Sequence, residues 1–130
     1  MAEDTPDRAE VDRFILDHID SVPHLEGLLL LWRDGSKPWT AEHVSKRLWI
    51  GCEDARSLLQ DLVRERLVIV IAGEEEQYRY RSEPSNDRLI QAVADSYRAD
   101  IIRISTMIHG KPSSAVRAFA RAFRFTKEQE

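Results

Sequence analysis

Apolar residues recur at intervals of three and four along most of this chain and alternate with polar ones over one short stretch. The backbone therefore reads as a series of helices interrupted by a hairpin. Thr5 and Pro6 predict a helix start, with Thr5 as cap, and Phe14, Ile15, His18 and Ile19 form its apolar stripe up to Asp20 and Ser21. A second helix begins around Ser21, Val22 and Pro23 and carries Leu25, Leu28, Leu29 and Trp32. It is apolar nearly all round, which marks it as the buried central helix. Asp34 and Gly35, followed by Lys37 and Pro38, stop it.

Trp39 then leads into Thr40, the predicted cap of a short helix over residues 41–48 with Ala41, Val44 and Leu48 on one face. Trp49, Ile50 and Gly51 predict a turn, and a longer helix over about residues 53–65 turns Ala55, Leu58, Leu59, Leu62 and Val63 inward. Leu67, Val68, Ile69, Val70 and Ile71 are rich in β-branched residues and read as a strand. After a polar tip of Gly73, Glu74, Glu75 and Glu76, strict alternation through Gln77, Tyr78, Arg79, Tyr80 and Arg81 predicts the returning strand, tyrosines toward the core. Pro84, Ser85 and Asn86 mark a boundary. Beyond it Ile90, Val93, Tyr97, Ile101, Ile104 and Ile108 predict one long helix over roughly residues 86–109. This seam is longer than a small module needs to cover, which points to a dimer interface. Gly110, Lys111 and Pro112 end it. A last short helix sets Val116, Phe119, Ala120 and Phe123 against Arg117, Arg121 and Arg124, and its two phenylalanines either fold back on the domain or join the dimer interface.

Charge and composition narrow the classes. With 130 residues, 42% hydrophobic and 32% charged, the chain fits a single folded domain. The longest apolar run, from Leu28 to Trp32, is too short to span a membrane. The acidic start has no apolar stretch after it, so no secretion signal is read there, and the lone Cys52 excludes an intramolecular disulfide framework. These features predict a cytoplasmic protein. A net charge of −4 argues against a strong non-specific grip on polyanions. The charge is uneven, however. Residues 1–26 hold eight acids against Arg8 and Arg13, and residues 98–127 hold seven bases against Asp100, so the two ends are able to pair within a chain or across a dimer.

The fold expected is mainly α with a small β-hairpin wing of two or three strands. An N-terminal helix occupies residues 1–20, a winged helix-turn-helix residues 21–83, and a C-terminal helical extension residues 84–130. Leu28 to Trp32, Trp39 through Val44, the Gly51 turn, Leu58, Leu59, Leu62, Val63 and Leu67 together resemble bacterial winged helix-turn-helix transcription regulators of the MarR and ArsR-like superfamily, over about half the chain. The resemblance implies a dimer on double-stranded DNA, the third helix of the motif in the major groove and the wing on the backbone or in the minor groove. Its outward face is Arg56, Ser57, Gln60, Asp61 and Arg64. Arg56 and Gln60 suit base edges, while Arg64, Lys46 and Arg47 suit phosphates. Glu53, Asp54, Asp61 and Glu65 on the same helix, and the three glutamates of the wing tip, depart from that pattern. The alternative is a protein-interaction adaptor on the same scaffold.

No catalytic motif is present, so no enzyme activity and no cofactor are expected. His18, His24, His43 and His109 are too scattered for a recognisable metal motif, and each reads as a surface or partly buried side chain. Cys52 reads as a small residue in a tight turn, against the alternative of a redox-sensing thiol at a helix start. Trp32, Trp39 and Trp49 read as core anchors at helix ends.

Overall fold

The computed structural model describes residues 6–111. Phe119 and Phe123, with the last short helix expected around them, lie outside the described residues, as does Thr5. Helix α1 (Arg8–His18) is capped by Asp7, not Thr5, with the carboxylate accepting the Glu10 N–H at 2.9 Å. Helix α2 (Val22–Arg33) starts where its sequence signals it, capped by Ser21 with Pro23 in the first turn. It buries Leu25, Leu28, Leu29, Leu30 and Leu31 at the centre of the molecule. A Cβ on Gly27 would meet the Leu58 side chain at 2.8 Å, so the absent side chain lets α2 approach the helix beneath it.

Helices α3 (Ala41–Leu48) and α4 (Cys52–Arg64) form the helix-turn-helix on α2, and strands β1 (Val68–Ile71) and β2 (Gln77–Tyr80) form an antiparallel hairpin. Val68 pairs with Tyr80 and Val70 with Tyr78, so one face of the hairpin carries both tyrosines into the core. Trp39 adds a single antiparallel bridge to Tyr78, with both backbone bonds at 2.7 Å. The wing is thus two strands plus one bridging residue.

Residues 86–109 do not form the expected single helix. The chain breaks at Asp100 (φ −149°, ψ 58°) into α5 (Pro84–Ala99) and α6 (Ile101–His109). The break lets both helices pack on α1 and α2, and it consumes the seam: Ile90, Val93, Ile104 and Ile108 are buried inside the single chain and Tyr97 is half-buried. Ile101 and its neighbour Ile102 remain exposed, at 52% and 80%. The acidic start and the basic end do meet within the chain. Asp12 on α1 holds the Arg103 guanidinium of α6 at 3.0 Å, and the Lys111 ammonium donates to the carbonyls of Ile15 and Ile19. Side chains of every helix and both strands among the described residues join one core. No helix among the described residues is long and apolar enough to cross a membrane.

Candidate nucleic-acid interface

Two turn devices aim α4. The first is the Thr40 hydroxyl, which accepts the His43 N–H at 3.1 Å and fixes the start of α3. The second is Trp49, which ends α3 in the left-handed region (φ 58°) with its N–H on the Ser45 carbonyl. Trp49 is not a core anchor: its side chain is 92% exposed. Reversing the chain within three residues puts the indole outside, whereas Trp39 is buried and Trp32 half-buried as expected.

From the N-cap Gly51, α4 buries Ala55, Leu58, Leu59 and Leu62. It leaves Cys52, Glu53, Asp54, Arg56, Ser57, Gln60 and Arg64 exposed along the opposite face. The first-turn acids and the last-turn arginine match the helix dipole, so they stabilise α4 whatever else they do. The expected cations are engaged locally. Arg56 donates to Glu53 at 2.9 Å, Lys46 pairs with Glu42 at 3.2 Å, and Arg64 pairs with Asp61. Arg47 lies with its guanidinium carbon 5.7 Å from the centre of the Trp39 ring. Exposed pairs of this kind contribute about 0–1 kcal/mol each and exchange readily for phosphate oxygens.

A groove of about 370 Å³ separates α3 and α4 from the wing, lined by Glu42, Cys52, Arg56, Gln60, Glu75 and Glu76 among others. Glu74, Glu75 and Glu76 are all exposed. The Tyr78 hydroxyl donates to Glu76 at 3.0 Å, and burial followed by that carboxylate pushes the phenol above its ordinary pKa. The face is therefore mixed in charge, with acids on the wing side.

The other end of α4 carries an arrangement that sequence spacing does not reveal. His18 Nδ1 lies 2.9 Å from Glu65, and His24 Nε2 lies 2.8 Å from Asp61. His24 Nδ1 is 2.6 Å from the Ser21 hydroxyl, and Asp20 completes a cluster with His24 and Asp61. Burial lowers the His24 pKa; Asp20 opposes this, while Lys111 and Arg64 reinforce it. His24 and Asp61 are 37 residues apart, so only the packing of α2 on α4 brings them together.

No protein-family model matches the chain, and no curated protein matches it significantly. Solved structures do. A MarR family protein from Bacillus stearothermophilus superposes with a TM-score of 0.52 at 16% identity, covering 94% of this chain and 83% of that one. The S. aureus MepR–DNA complex gives 0.55 at 12% identity, covering 92% and 88%. RV1404 from Mycobacterium tuberculosis gives 0.52 at 17% identity, covering 91% and 78%. The chain has the winged-helix fold of MarR family regulators.

Proposed function

We propose that this protein is a DNA-binding transcription regulator, acting as a homodimer and reading the major groove with α4. The observation that carries the reading is the outward face of α4, where Arg56, Ser57, Gln60 and Arg64 project from a helix anchored by its opposite face. A protein of the same fold has been solved bound to DNA. In this reading Arg56 and Gln60 meet base edges, while Lys46, Arg47 and Arg64 hold the backbone after leaving their present partners. With most of the isoleucine seam buried, the dimer contact among the described residues falls to Ile101 and Ile102.

A second reading, a protein-interaction adaptor, is favoured by the acids flanking α4: Glu42, Glu53, Asp54 and the wing tip. Selection from random duplexes separates the two. A dimeric regulator recovers an inverted repeat, because two-fold symmetry presents two equivalent helices. An adaptor enriches no sequence at physiological salt.

A further inference from the structure

Asp20, His24 and Asp61 come from three places: the link between α1 and α2, the first turn of α2, and the last turn of α4. One donor atom from each lies within 4.8 Å of the others. We propose that these three residues bind a single first-row divalent transition ion of the Zn²⁺ class, with water completing its coordination. Three protein ligands and open water positions describe an exchangeable site, not a closed structural one. One imidazole nitrogen with two carboxylate oxygens suits such an ion better than Ca²⁺ or Mg²⁺, which favour oxygen throughout.

The histidine is prepared from behind. Its Nδ1 sits 2.6 Å from Ser21 Oγ, and the same oxygen accepts the His24 backbone N–H at 3.3 Å, which fixes the ring plane. With the ring neutral, the ion takes the Nε2 lone pair, the ring proton resides on Nδ1, and Ser21 Oγ accepts it. Exposure falls from the solvent side inward. Asp20 is exposed, while the side chains of Asp61 and His24 are 23% and 16% exposed, so an ion has a way in and a shielded seat.

Two cations compete with an ion for this seat: Lys111, whose charge acts on His24, and Arg64, which shares Asp61 with His24. An ion drawing Asp61 to itself releases the Arg64 guanidinium at the exposed end of α4. That consequence, and only that one, rests on the DNA reading above.

The test uses the full chain and ZnCl₂, without DNA, so its outcome is independent of whether duplexes bind. Calorimetry and thermal unfolding are run on the unmodified protein and on Asp20→Asn, His24→Gln and Asp61→Asn, each checked for helix content by circular dichroism. The expected result is one ion per chain and a Tm that rises with Zn²⁺. Affinity should fall by about tenfold or more in His24→Gln and Asp61→Asn. Asp20→Asn lies in an exposed link, keeps the fold intact, and also weakens binding. With Co²⁺ as probe, ligand-field absorption appears without a thiolate charge-transfer band. No saturable binding, equal affinity in all four proteins, or a charge-transfer band implicating Cys52 overturns the proposal.

Discussion

Arg56 and Gln60 stand one helical turn apart on α4, and their side chains differ in what they forfeit when a duplex arrives. Arg56 gives up an exposed pair with Glu53, while Gln60, exposed in the groove beside the wing, gives up no ion pair. Arg56→Ala should weaken a selected site by about 1–3 kcal/mol more than it weakens random duplex. Lys46→Ala should weaken both alike and flatten the salt dependence, as titration at two salt concentrations will record. Equal losses for Arg56→Ala on both DNAs would remove it from base reading. Asp87 carries a second expectation at this scale. The Ser82 hydroxyl, at 2.7 Å, is the main cause of its lowered pKa, with the Tyr80 hydroxyl at 2.8 Å adding to it against the opposing effect of burial. A carboxylate held below its unfolded pKa contributes stability above the ordinary carboxylate range, lost as pH falls through that range toward the folded pKa. Asp87→Asn should therefore lower stability in urea unfolding at neutral pH by no more than about 1 kcal/mol, because solvent screens so open a carboxylate, with the deficit shrinking in acid.

At the scale of elements, the ends of helices decide most of the architecture. Ser21 and Thr40 cap α2 and α3 from sequence positions where a hydroxyl precedes an apolar run, which is why those starts are legible in the sequence. The close of α4 is less legible. Leu67 N–H bonds the Leu62 carbonyl at 3.0 Å and Arg66 N–H bonds that of Val63 at 2.9 Å, a Schellman closure that holds Arg66 at φ 63° where glycine is usual. Arg66→Gly should raise stability by about 0.5–1 kcal/mol in chemical denaturation, because relief of left-handed strain exceeds the added freedom of the unfolded chain. The break at Asp100 stayed hidden for a different reason. The three-and-four spacing of isoleucines runs on through it and masks Asp100, an N-cap residue type whose side chain makes no cap hydrogen bond to α6. In the wing, the exposed Glu74, Glu75 and Glu76 repel a polyanion from a distance. Changing all three to Gln should tighten duplex binding in an electrophoretic assay, most at low salt. Weaker binding would mean that these acids meet a cation on the partner.

For the whole molecule, the consumption of the isoleucine seam by the monomer core changes what a dimer test must use. Ile104→Asp places an unpaired charge at a fully buried position and should unfold the chain. Ile102→Asp should leave the circular dichroism spectrum intact and convert dimers to monomers in light scattering. Monomeric unmodified protein at micromolar concentration would refute the interface. The tri-helical core and hairpin follow from local pattern, because α2, α3, α4 and the wing are consecutive and each buries one periodic face. The cluster of Asp20, His24 and Asp61 depends on a long-range packing between α2 and α4 that no spacing encodes. Trp49 adds an optical property. Of three indoles, one is sealed at 2% exposure, one is half-buried, and Trp49 stands in water at 92% beside the turn that feeds α4. Its emission should be the red-shifted, iodide-quenchable part of the intrinsic fluorescence and should vanish selectively in Trp49→Phe. Any macromolecule that lands on the start of α4 will shade this lamp, so the unlabelled protein carries its own gauge of occupancy.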